Sequence, residues 1–267
     1  MTYPLPNEVI ILLLFILGAS IGSFLNVVIY RVPIKMSLIK PGSHCISCKT
    51  SIKLYDNIPI LSYFFLGGNC RHCSEPFTIR YAIVEILTAS LSLCLYFIYG
   101  LTPSFFMFLF LAYSLIAISF IDMDHLIIPN GFIILGLVVL IPSLVLDWLP
   151  IHWEDGLYGS LVFAGFLFAM GIIGQFILKK ESIGFGDVKL GLILGGFLGF
   201  ELSVLALYLS FLFAAIVVVL MVMLGTVKRG MKIPFGPYLA MGTLVTLLTN
   251  SVGRGNMILS WYYSTIF

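Results

Sequence analysis

Runs of about 20 apolar residues recur along this chain, too long and continuous for the half-buried helices of a soluble domain. They fall near residues 9–30, 81–99, 104–121, 129–147, 157–178, 187–199, 201–224 and 237–253. A backbone that crosses a bilayer must satisfy its own hydrogen bonds, so each run is predicted to be a transmembrane helix. The expected fold class is an all-α polytopic membrane protein with about eight transmembrane helices. The sixth run is short and is separated from the seventh only by "GFE", and the eighth has no sharp end, so seven is the alternative count. Only 10% of the residues are charged, against roughly 25% in soluble domains. The first run has no basic residue before it and leads into further spans, which favours a retained helix over a signal peptide.

Threading eight spans separates the basic residues. Arg31, Lys35, Lys40, Lys49, Lys53, Arg71, Arg80, Lys179, Lys180, Lys189, Lys228, Arg229 and Lys232 fall on one side, and Arg254 alone on the other. The positive-inside rule makes the first side cytoplasmic and puts both termini outside. A net charge of +2 makes no case for nucleic acid as a partner; membrane lipid is the expected surroundings. The chain divides into a first transmembrane helix (1–31), a small cytoplasmic domain (32–80) and a membrane domain (81–267).

The cytoplasmic segment contains "CISC" at 45–48 and "CRHC" at 70–73. Two C-x-x-C knuckles at this separation can surround one Zn²⁺ with four thiolates. A reducing compartment disfavours disulfides, although free or redox thiols stay open. Cys45, Cys48, Cys70 and Cys73 fill all four positions, so the metal would be structural rather than catalytic. His44 and His72 flank the knuckles as substitute ligands or as solvated loop residues. Cys94, in an apolar span, reads as a small buried residue.

"FIDMDHLIIPN" at 120–130 places Asp122, Asp124 and His125 at the cytoplasmic end of the third run, and "GFGD" at 184–187 brings Asp187 to the same depth. Carboxylates at a membrane boundary are costly and mark functional candidates. The plainer readings are that Asp187 caps its helix and that Asp122 and Asp124 are solvated or pair with Lys179 and Lys180. Gly184 and Gly186 leave a strip without side chains beside Asp187, suited to an extended peptide. Two carboxyl groups brought together share one proton. The ionised member then activates water and the protonated one donates to a carbonyl oxygen, which is the chemistry of aspartyl proteolysis. No H-E-x-x-H motif is present, and His125 and His152 thread to opposite sides.

These motifs resemble the bacterial type IV prepilin peptidases, membrane aspartyl proteases of the G-x-G-D type. "GSFLNVVIYRVP" at 22–33, the two knuckles, "RYAIVEILTA" at 80–89, "IDMDHLIIPN", "GFGDVKL" and "PFGPYLA" at 234–240 follow the family's order. The resemblance implies Asp122 and Asp187 as catalytic residues, Asp122 lying six residues before the Ile of Ile128-Pro129. Asp124 becomes auxiliary. It also implies cleavage of the basic leader of type IV prepilin or pseudopilin precursors at the cytoplasmic face of the bacterial inner membrane. A second activity is implied too: N-methylation of the new terminus with S-adenosylmethionine. The residues themselves show no G-x-G-x-x-G fingerprint for that cofactor.

Other polar positions keep two readings. Glu85 is an auxiliary or methylation-site residue, or a partner for Arg80 or Arg31. Asn26 and Asn130 are functional, or they bridge or cap helices. Gly191, Gly195 and Gly199 are spaced for close helix packing, and "WYYSTIF" at 261–267 suits an interfacial aromatic belt. The rival from another class is a proton- or cation-coupled transporter. It predicts inverted repeats and mid-span carboxylates, and neither is visible. A zinc-stapled scaffold is the third reading, in which the aspartates are dispensable.

Overall fold

The computed structural model describes residues 6–178, 183–226, 232–251 and 255–266. Lys179, Lys180, Lys228, Arg229 and Arg254, used above for orientation, lie outside the described residues. The chain forms two compact units, divided between Cys94 and Leu95.

The first unit holds α1 (Asn7–Arg31), a 3₁₀ turn (Leu54–Asn57), the short α2 (Leu61–Phe65) and the greater part of α3 (Arg80–Tyr99). α1 and α3 approach closely because α1 offers glycines four residues apart. A Cβ on Gly18 would lie 2.9 Å from the Ala89 Cα, and one on Gly22 would lie 2.7 Å from the Glu85 Cα. This is small-residue packing of the kind membrane helices use in place of a hydrophobic drive. Asn26 ties the pair by donating to the Tyr81 carbonyl at 3.1 Å, so its bridging reading holds. Cys94 corrects the sequence expectation: it is exposed, not buried. A membrane helix meets lipid on its outer face, so an apolar residue there needs no protein cover.

The second unit holds α4 (Pro103–His125), α5 (Asn130–Val145), α6 (Trp153–Leu178), α7 (Phe185–Met223), α8 (Gly236–Leu248) and α9 (Met257–Ile266). Thr102 caps α4 by accepting the Phe105 N–H, with Pro103 at the first helical position, where a missing N–H is harmless. α7 has 39 residues, about 58 Å at helical rise, twice a bilayer's hydrocarbon core. It breaks at Gly199 (φ 75°, ψ 179°), a backbone conformation suited to glycine. Asp155 of α6 caps the new start, its Oδ1 accepting the Phe200 N–H at 3.1 Å. The second half then runs back along the first. Phe211 meets Phe166 edge to face, ring centroids 5.6 Å apart, and the neighbouring turn of α6 packs on Gly191. α6 and α7 meet backbone to backbone at Gly159 and Gly195, the close packing that the glycine spacing predicts.

Among the described residues, five helices are long and apolar enough to cross a membrane, and α5 and α8 are shorter apolar helices. With α7 counted as two spans, the fold is the multi-pass all-α membrane protein expected, with a four-cysteine segment between its first two spans. α8 ends at Leu248, the earliest end the sequence allows, and leads into a two-stranded hairpin pairing Asn250–Ser251 with Gly255–Asn256. Leaving it in strand form, the chain starts α9, whose Tyr263 hydroxyl bonds Glu201 at 3.3 Å.

Candidate active site and metal centre

α4 runs four residues past its expected end, to His125. Asp122 and Asp124 are therefore helical residues two apart, about 200° around the axis, and they face opposite ways. Asp122 is 6% exposed, while Asp124 is exposed. Leu126 closes the helix in the left-handed region, its N–H returning to the Asp122 carbonyl at 2.9 Å.

Asp187 sits in the first turn of α7 and is 8% exposed. Its Oδ2 accepts the N–H of Gly184, the N-cap, at 3.2 Å. Asp187 is therefore not the N-cap, as the sequence suggests, but the third helical residue, bonding back to the N-cap N–H and leaving the rest of its carboxylate unspent. Asp187 also interacts electrostatically with Asp122. The fold has brought together two buried carboxyl groups from 65 residues apart in sequence. Gly186 faces Ile128, 3.2 Å from where a Cβ would stand, which sets the start of α7 against the segment after Asp122.

A third element completes the site. The N-terminus of α8 points its Gly236 N–H at Asp122 Oδ2, 2.9 Å away. A Cβ on Gly236 would lie 2.8 Å from that same oxygen. Sequence reasoning missed this residue. Its signal was a glycine-proline step opening an apolar helix in "PFGPYLA". Lys189 was missed as well. Its Nζ donates to Asn130 Oδ1 at 3.2 Å and lies 4.9 Å from the Phe185 ring, tying α7 to the start of α5. Asn130 therefore bridges helices. Pro129 stands at the N-cap of α5, one position before the first turn.

Glu85, 7% exposed, belongs to the first unit. Its Oε2 accepts the Ile60 N–H at 2.6 Å, and Ser23 also hydrogen-bonds its side chain. Arg31, one expected partner, donates instead to the Ser37 carbonyl at 2.9 Å.

The cysteine segment is a pair of matching knuckles. In the first, Cys45 N–H bonds the Thr50 carbonyl and Lys49 N–H bonds the Cys45 carbonyl. In the second, Cys70 pairs with Glu75 and Ser74 with Cys70 in the same pattern. Lys49 and Ser74 both take left-handed backbone angles, which turns each loop so that its two thiols converge. Bridges from His44 to Ser51 and from Asn69 to Pro76 close the loops. The four sulfurs lie within 4.8 Å of one another, with Cys45–Cys73 at 3.8 Å and Cys48–Cys70 at 4.0 Å. A tetrahedral Zn²⁺ with bonds of about 2.3 Å needs sulfurs roughly 3.8 Å apart, so the cluster fits a metal ion. The Cys48 thiol donates to the Thr50 hydroxyl at 3.4 Å, which holds it in place within the cluster. His44 bonds the Gly42 carbonyl, and neither it nor His72 joins the cluster. Arg71 in the second knuckle forks onto Asp56, with contacts from 2.6 to 3.0 Å, and holds that carboxyl below its usual range.

Residues 16–99 match the Bacterial Peptidase A24 N-terminal domain, and residues 109–219 match the Type IV leader peptidase family. The chain belongs to the type IV leader peptidase family. A prepilin leader peptidase/N-methyltransferase of Pseudomonas putida is 33% identical, over 91% of this chain and 92% of its own. One of Aeromonas salmonicida is 34% identical, over 95% and 94%. A type 4 prepilin-like proteins leader peptide-processing enzyme of Escherichia coli O78:H11 is 35% identical, over 86% and 90%. No solved structure matches the chain. Family membership gives no support to the transporter reading.

Proposed function

We propose that this leader peptidase family member is a membrane-embedded aspartyl endopeptidase that removes the basic leader from type IV prepilin-like precursors, with Asp122 and Asp187 as its catalytic pair. The observation that carries the reading is the convergence of two buried carboxyl groups on one site, one of them seated on the α8 N-terminus. One proton is shared between them. The ionised aspartate takes a proton from water, whose oxygen attacks the scissile carbonyl carbon. The protonated aspartate gives its proton to the carbonyl oxygen. Collapse of the tetrahedral intermediate breaks the C–N bond, and the leaving nitrogen receives a proton from the pair. Gly184 and Gly186 leave room for an extended peptide, and Asp124, on the opposite helix face, is auxiliary. Asn130 and Pro129 position α5 against Lys189.

The reaction is assigned to the cytoplasmic face of the inner membrane, on the separation of basic residues in the sequence. A leader held in the cytoplasm by its positive charges, joined to a membrane helix, presents its junction at that boundary. Cys45, Cys48, Cys70 and Cys73 hold a structural Zn²⁺, which organises a segment too small to build its own core. The names of the relatives support a second activity, methylation of the newly exposed amine, with S-adenosylmethionine as the methyl-donating co-substrate. The functional division is 1–31, 32–80 and 81–267.

The test is purified full-length protein mixed with a prepilin in detergent and followed by mass spectrometry. Loss of the leader supports the reading, as does a methyl increment on the mature terminus when S-adenosylmethionine is added. An uncut precursor overturns it.

A further inference from the structure

Six large apolar side chains stand outward on the 3₁₀ turn, α2 and the link between them: Leu54, Tyr55, Ile58, Leu61, Phe64 and Phe65. Leu54 is 91% exposed and Phe65 84%. Isolated exposed apolar residues are ordinary, but a contiguous group marks an interaction surface. The two elements act as one platform because Ser62 links them. Its hydroxyl donates to the Tyr55 carbonyl at 3.3 Å and accepts the Ile58 N–H at 2.9 Å.

Glu85 fixes the depth of this platform. It holds the Ile60 N–H from five residues inside α3, about 7.5 Å along the helix. Gly22 of α1 packs at the same level. Eight more residues lead from Gly22 to Tyr30, about 12 Å of largely apolar helix. Ile60 therefore sits where both neighbouring helices are still apolar.

Non-helical backbone at that level needs partners other than water. Each N–H from Ile58 to Ser62 has one. Ile58 donates to Ser62 Oγ, Ile60 to Glu85, Leu61 to the Pro59 carbonyl and Ser62 to the Ile58 carbonyl. Pro59 has no N–H to satisfy. Ile60 is held at φ 66°, ψ −57°, a γ-turn that is costly for a β-branched residue. Strain of this kind persists only where the surroundings enforce it.

Charge identifies the occupant. Residues 32–80 carry six basic residues (Lys35, Lys40, Lys49, Lys53, Arg71, Arg80) against Asp56, Glu75 and a four-thiolate Zn²⁺ site of charge −2, so the segment stays cationic, at a net of +2. Lys53 and Arg71 lie 5.5 and 5.7 Å from the Tyr55 ring, a cation–aromatic arrangement that suits the headgroup level of a bilayer. We propose that residues 54–65 form an interfacial anchor, which inserts Leu54, Phe64 and Phe65 into the headgroup–acyl boundary of an anionic membrane. Glu85 is the positioning residue that seats it.

The experiment places benzoylphenylalanine at Leu54 or Phe65 in the full chain, reconstituted in phosphatidylcholine vesicles containing phosphatidylglycerol. After illumination, adducts are identified by mass spectrometry, with the same probe at the exposed Glu75 as the reference site. Lipid adducts are expected at 54 and 65 and several-fold fewer at 75. The phosphatidylglycerol share of those adducts should exceed its share of the vesicle. Glu85→Ala should reduce the adducts at 65 several-fold, while Glu85→Gln, which keeps an acceptor oxygen, should retain them. Adducts confined to protein, whether this chain or a prepilin, would overturn the proposal in favour of a protein-docking face. So would the absence of any lipid adduct at 54 and 65, and a Glu85→Ala variant labelled like the wild type would remove Glu85's role.

Discussion

Replacing Gly236 by alanine isolates what the third element of the site does. Gly236 opens α8 and is not among the glycines with positive φ, so alanine is compatible with its backbone and is the better helix former. Stability should not fall on conformational grounds. The added methyl, however, would stand 2.8 Å from Asp122 Oδ2, 3.2 Å from its Cγ and 3.3 Å from its Cβ. Carbon and oxygen do not approach that closely, so the carboxylate must shift by about 0.5 Å. That shift stretches the 2.9 Å bond from the Gly236 N–H. A hydrogen bond to a charged group is worth about 1.5–3 kcal/mol, equivalent to about a 10- to 150-fold loss of rate. The assay is steady-state cleavage of a prepilin in detergent, with kcat and KM separated. The loss should fall on kcat, and the melting temperature should fall by no more than that same loss of about 1.5–3 kcal/mol allows, the fold staying intact. A variant that cuts within about twofold of wild type would show that Gly236 does not set the position of Asp122.

Three further outcomes are expected. Asp155→Ala removes the cap on the second half of α7 and should lower stability by about 0.5–2 kcal/mol, read by thermal unfolding in detergent. Stripping the proposed Zn²⁺ with a strong chelator should expose residues 32–80 to protease while leaving the helical circular dichroism nearly intact, because the four cysteines lie only in that segment. Asp56→Asn should increase protease sensitivity of the same segment at neutral pH. Arg71 lowers the folded Asp56 pKa, so the pair's contribution is present above the ordinary aspartate range of about 4 and is lost as pH falls through the lower folded value. The difference between variant and wild type should therefore close only in strong acid.

Much of this was legible in the sequence because membrane spans and metal knuckles are written locally. The apolar runs located the helices. "GFE" marked the break that Gly199 makes, and two C-x-x-C pairs announced four converging sulfurs. What the sequence withheld depends on contacts distant along the chain. Helical phase alone would have placed Asp122 and Asp124 on opposite faces, but only had the helix been known to run on to His125, and which face is inward depends on α7 and α8. The Gly236 bond to Asp122 spans 114 residues, and no local pattern encodes it. The bond from the Ile60 N–H to Glu85 went unforeseen because backbone donors have no sequence signature. Cys94 was misplaced by a soluble-protein habit, since an apolar residue in a membrane helix has two apolar environments to choose from.

The pairing of Asp122 with Asp187 is tested most directly by single asparagine substitutions, each assayed for leader removal by mass spectrometry. The amide keeps the size of the side chain but cannot share the proton. Asp122→Asn and Asp187→Asn should each abolish cleavage, by about a thousandfold or more, while Asp124→Asn still cuts. Cleavage by either of the first two variants at a rate near wild type would contradict the carboxylate pair.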